Sequence, residues 1–136
     1  MKKIIFFAMF IFGLCLNVCS ANSYDENPDY VYVVTENGGT HYLNLKTIDV
    51  IQYRPPQYQI AGYFVHVSPK ADGTEKISSR YVCLLFEWDT KEIFHKDNYG
   101  NWEKSYTEGD TTNALVNRKF ADALFHAAYN MNFFGY

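Results

Sequence analysis

The stretch YVCLLFEWDTKEIFH, residues 81–95, gathers one cysteine, three acids and one histidine. A thiolate beside an imidazole base could attack an acyl carbon. Two carboxyl groups held across a cleft could divide acid and base roles. The local pattern favours neither chemistry. Cys83 stands between Val82 and Leu84, which predicts a buried thiol acting as a small hydrophobe with little thiolate character. Glu87, Asp89 and Glu92 flank a predicted turn with Lys91 and Lys96 beside them, and solvated charges are the simplest reading there. The four histidines, His41, His66, His95 and His126, lie at least 25 positions apart. No HxH or HExxH spacing exists, which leaves only ligands assembled across strands for a metal. No GxSxG, P-loop or GxGxxG motif occurs. Gly38 and Gly39 fall in a hairpin turn rather than before a helix, so they make no phosphate loop. No catalytic, cofactor-binding or metal-binding residue is expected, no cofactor is implied, and the chain is expected not to be an enzyme.

Tyrosine is the more telling residue. The chain holds 12 Tyr, 11 Phe and 2 Trp, and every tyrosine lies beyond residue 23. Alternating tyrosine builds sheets. It also supplies large contact area at low entropic cost, which suits interfaces. Some exposed aromatic surface is therefore expected, although no individual binding residue can be named.

The elements that position these residues are mostly strands. YVYVVT (residues 30–35) and THYLNL (40–45) flank the turn signal ENGG, where Asn37-Gly38 supplies positive φ. KTIDVIQYRPPQ is less regular, and Pro55-Pro56 points to a loop or sheet edge. Long strands are predicted at residues 58–68, with Gly62 marking a bulge or bend, and at 76–88. Asp72-Gly73, Asp89-Thr90 and residues 97–101 supply turns, with short strands at KEIFHK and WEKSYT. On the 76–88 strand, Tyr81, Cys83, Leu85 and Glu87 share one face, and Val82, Leu84, Phe86 and Trp88 the other. The period then changes. Val116, Phe120, Leu124, Ala127, Ala128 and Met131 mark one helical face, with Thr111, Thr112 and Asn113 as cap candidates and Asn132 and Gly135 available to end it. The expected fold is α+β: an antiparallel meander of about six strands, with one C-terminal helix packed on one face.

The first residues carry Lys2 and Lys3, then an uncharged apolar run from Ile4 to Leu16 and small residues at Cys19, Ser20 and Ala21. This layout predicts a cleaved signal peptide over residues 1–21, a flexible tether over 22–29 and a single domain over 30–136. The chain has a net charge of −3, which becomes −5 once Lys2 and Lys3 leave with the leader. Nucleic acid is not an expected partner, because phosphate binding rests on clustered cations. Beyond the leader only Cys83 remains, so no disulfide forms within the domain and packing must carry stability.

The ordered pieces resemble the surface-adhesin E-like domains of bacterial envelopes. The resemblance is carried by YVYVVT, GGTHYLNLKTI (residues 38–48), LLFEWDTKEIFH, the YGNW turn (99–102) and the closing ADALFHAAYN. It implies an antiparallel sheet with one packed helix, displayed at the cell envelope, and includes adhesins that bind host extracellular-matrix and plasma proteins. Departures are visible. Thr90 follows Asp89 where relatives carry a cysteine, Ala127 and Ala128 stand where the helix would carry its partner, and Asn44 replaces an acid. The family's helix-to-sheet disulfide therefore does not carry over, and docking must rest on Phe120 and Leu124. The expected function is an exported, non-enzymatic envelope binding module, an adhesin for host matrix or plasma proteins, at the cell surface or in the periplasm. A periplasmic interaction factor, such as an enzyme inhibitor or assembly factor, is the alternative. Edge strands of an open meander would also allow a homodimer.

Overall fold

The computed structural model describes residues 23–135, so the leader expected over 1–21 lies outside the described residues. Seven strands form one antiparallel open sheet, and a single α-helix follows them. The strands are β1 (Tyr30–Glu36), β2 (Gly39–Asn44), β3 (Asp49–Arg54), β4 (Gln57–Pro69), β5 (Glu75–Glu87), β6 (Glu92–Lys96) and β7 (Trp102–Lys104), and the helix is α1 (Thr112–Tyr129). The order across the sheet is β1-β2-β4-β5-β6-β7. β2 and β3 lie end to end along the same edge of β4, with a 3-10 turn at Leu45–Thr47 between them.

The strand β3 was not expected. Its residues DVIQYR do not alternate cleanly because a register shift falls between Val50 and Gln52, and a bulge hides period-2 patterning. Its exposed Val50, Ile51 and Tyr53 fit a sheet edge. The other strands stand where the patterning placed them, within a residue or two at their ends, except that β7 stops at Lys104, three residues short of the expected WEKSYT strand.

The two faces of β5 divide as the alternation requires. Leu84 and Phe86 are buried on the face that meets the helix, together with Leu43, Ile60, Phe64 and Ile93 from neighbouring strands. From α1 come Phe120, Ala121, Leu124 and Phe125. Gly62 lets the helix close on this surface. A Cβ there would lie 3.1 Å from Ile48 Cδ1, 3.2 Å from Leu124 Cδ2 and 3.3 Å from Leu43 Cδ1, tighter than ordinary van der Waals contact. Gly62 is thus a site of close helix approach and not a bulge, since β4 pairs with β5 without a register shift.

Local chemistry sets the ends of α1. Thr111 Oγ1 accepts the Ala114 N–H at 3.3 Å, satisfying one of the orphan donors of the first turn. The helix ends earlier than Asn132 or Gly135, at Asn130, which adopts a left-handed conformation (φ 56°) as residues just past a helix end often do. Met131 therefore leaves the apolar face and is exposed. The chain then folds back, so that Phe133 is fully buried against Phe86, Trp88 and Phe125. Asp122 Oδ1 accepts the Phe134 N–H at 2.9 Å and pins this return.

On the opposite, outer face, the described part of the expected tether packs down instead of hanging free. Tyr24 stacks on Tyr42 with ring centroids 5.5 Å apart, and the Tyr42 hydroxyl donates to Asp25 Oδ1 at 2.8 Å. These contacts help bury Tyr42, Val65 and Val67. No described helix is long and apolar enough to cross a membrane.

Candidate functional site

The structure scatters the chemistry-bearing residues of YVCLLFEWDTKEIFH. Cys83 is partly buried on the outer face, where its sulfur accepts the Gln59 side-chain amide at 3.2 Å. His95 pairs in register with Leu84 and so belongs to the inner face, which leaves no thiol–imidazole dyad. Cys83→Ala is expected to cost about 1 kcal/mol of stability and to leave binding unchanged. A folded variant that had lost binding would return Cys83 to the list of functional residues.

Glu87 and Glu92 face each other directly across β5 and β6, where like charges repel. Lys104 relieves the repulsion. Its Nζ lies 2.7 Å from Glu92 Oε1, and with the Thr90 hydroxyl 3.0 Å from Oε2 it holds the Glu92 carboxyl below the usual carboxylate range. Lys91 feels the charges of Asp89 and Asp122 but also packs on aromatic rings. Its ammonium sits 3.0 Å from the Trp88 ring centroid and 5.0 Å from that of Phe133, a cation–π arrangement, and burial lowers its pKa.

Two histidines do come together. His41 and His66 are direct partners in the β2–β4 register, and their rings stack with centroids 4.4 Å apart and planes at 27°. Phe120 meets His41 edge-on at 5.1 Å. Glu36 Oε1 lies 3.2 Å from His41 Nε2. Gly39 makes room for the pair, since a Cβ there would collide with the His66 ring. Burial first, and the His66 ring second, push the His41 pKa below its ordinary 6.5, with Arg80 acting the same way and Glu36 opposing. Among the described residues, no group of three or more His, Cys, Asp or Glu side chains is placed to hold a metal ion. The pair is better described as an acid-sensitive contact. The unfolded chain takes up this proton near 6.5 and the folded chain only below it, so the stabilising difference is full above that value and is lost as pH falls through it. The thermal midpoint is expected to be lower at about pH 5 than at about pH 7.5, with a smaller difference in His41→Gln. An unchanged difference in the variant would assign the acid sensitivity to other groups.

His41 of this pair also lines an open groove of about 680 Å³. The inward side chains of β5 from Arg80 to Leu84 form one wall, Val116 and Phe120 of α1 another, and Lys96, Asn98 and Tyr106 the third. The helix holds the 105–109 loop in place. Asn117 Nδ2 donates to the Tyr106 carbonyl at 2.8 Å, and Arg118 donates to the carbonyls of Thr107 (2.6 Å) and Gly109 (2.9 Å). His95 Nδ1 and the Ser105 hydroxyl, both lining the groove, share a hydrogen bond of 2.8 Å. A second groove, of about 590 Å³, runs between β1 and α1 along Val31, Tyr32, Leu45, Ala123 and Ala127.

Beyond the Tyr24–Tyr42 cover, part of the outer face of the β4–β5 hairpin is exposed. Tyr63 and Tyr81 are cross-strand partners with ring centroids 5.3 Å apart. They are 45% and 51% exposed, and Ile77 is 53% exposed further along β5. Sequence reasoning expected aromatic surface somewhere but could not locate it, because strand register decides which tyrosines become neighbours. No family model matches the chain, and no curated protein or solved structure matches it.

Proposed function

We propose that the chain is an exported, non-catalytic binding module of the cell envelope that recognises a protein. Host matrix and plasma proteins are the partner class, as the resemblance to surface-adhesin E-like domains implies. The exposed Tyr63–Tyr81 pair carries this reading. Two large, half-exposed aromatic rings held side by side form the kind of rigid apolar contact surface that protein interfaces favour. The β4–β5 ladder fixes their backbone positions without a register shift, so little backbone ordering is needed on binding.

The test is solid-phase binding of the purified domain to a panel of matrix and plasma proteins, beside a Tyr63→Ser/Tyr81→Ser variant. Saturable binding to at least one protein is expected, weakened about tenfold or more in the variant with an unchanged melting profile. Absent or non-saturable binding across the panel would sink the reading, as would equal affinity in the two proteins. Protease treatment of intact and lysed cells addresses location. Digestion on intact cells supports display at the surface, and protection until lysis would replace the adhesin reading with a periplasmic partner.

A further inference from the structure

We propose that the outward edge of β5 is a strand-addition site for an extended, acidic segment of the partner protein. The inference rests on the binding-module reading above and gives it a mode and a ligand chemistry.

Unpaired strand edges attract other strands, and stable proteins blunt them with bulges, short length or a cover. The other edges of this sheet are blunted in these ways. β1 carries a register shift between Tyr32 and Val34, β3 carries one between Val50 and Gln52, and β7 spans only Trp102–Lys104. β5 differs. β6 reaches back only as far as Leu84, so residues 75–83 have β4 on one side and no described strand on the other. The segment is regular, contains no proline, and is exposed over residues 75–81. Its outward main-chain N–H and C=O groups are free to continue the ladder.

The 680 Å³ groove lies beside this edge. It exists because the β6–β7 hairpin parts from β5 beyond the Leu84–His95 pair. A strand laid about 4.8 Å from β5 would enter it. Side chains on one face of that strand would point between β5 and α1, toward Val82 and Phe120, and those on the other would lie beside Tyr81. The added strand thus joins the groove to the tyrosine surface.

Charge selects the occupant. The groove is lined by Arg80 and Lys96 against the single acid Glu36, in a chain whose net charge is −3. A locally basic groove on an acidic protein draws acidic segments by steering and penalises cationic ones. A second copy of this chain suits it less well, because residues 75–83 carry Lys76 and Arg80 against the single acid Glu75 and would bring a net positive charge into the groove.

Two probes test this: synthetic peptides of roughly ten residues, alternating Thr-Glu or Thr-Lys, long enough to pair along the edge. Binding is read by titration and by amide hydrogen exchange across residues 75–83. Thr-Glu is expected to slow exchange at alternate amides of the segment and to bind about tenfold more tightly than Thr-Lys. Arg80→Glu/Lys96→Glu, at exposed positions, is expected to reverse the preference while the protein still melts cooperatively, with a modest fall in midpoint from the lost contacts to Phe120 and Trp102. Equal binding of the two peptides, or binding without protection of those amides, overturns the proposal. So does prior protection of those amides in the free protein together with a dimeric mass, which would assign the edge to a second copy. Failure of both peptides while the intact domain still binds a matrix or plasma protein through Tyr63 and Tyr81 overturns the strand-addition mode and leaves the binding-module reading standing.

Discussion

Leu124→Asp is expected to abolish the cooperative fold. Leu124 is fully buried where α1 crosses the β4 strand at Gly62, whose missing side chain leaves Leu124 Cδ2 against the backbone. Removing a buried leucine side chain costs roughly 2–5 kcal/mol from lost transfer and residual cavity. An aspartate adds the penalty of an unpaired buried carboxylate, several kcal/mol more. The total is comparable with the whole stability of a domain, about 5–15 kcal/mol. Circular dichroism during heating should show no cooperative transition. Leu115→Asp, on the exposed side of the same helix, should melt close to wild type. A wild-type midpoint for Leu124→Asp would mean that the helix is not docked.

Phe133→Ala should produce the next largest loss, about 3–5 kcal/mol, a fall in midpoint of roughly 10 °C or more. Phe133 lies beyond the helix yet is fully buried, and its ring meets Phe86 at 5.0 Å, Trp88 at 5.7 Å and Phe125 at 5.3 Å. Such ring pairs add to the value of area burial alone. Met131→Ala, two residues away and exposed, is the control. Equal small shifts for both variants would show that the segment after the helix is not part of the core.

The sequence made the type of most elements readable, because period 2 and period 3.6 are local properties. The alternation along β5 told the helix face from the outer face, and Phe120 and Leu124 are buried where their spacing placed them. Several features escaped for physical reasons. The β3 pattern is interrupted by its register shift. Burial of Phe133 depends on a chain reversal after Asn130, and its neighbours on β5 are remote in sequence. The His41–His66 stack and the Tyr63–Tyr81 pair depend on register between strands, which no single segment encodes. The groove beside β5 depends on where β6 stops pairing, a property of two strands together.

The position of α1 in chain order has a consequence for biosynthesis. The helix packs against β1 and β4, which a ribosome makes long before it. Until residues 112–129 have emerged, the finished sheet holds Leu43, Ile60, Phe64, Leu84 and Phe86 with no helix over them. Nascent or prematurely terminated chains therefore present a sticky apolar surface and call for chaperone protection. A truncation ending before Thr111 should be recovered as aggregate, while the same chain supplied with a peptide of residues 112–135 should regain solubility.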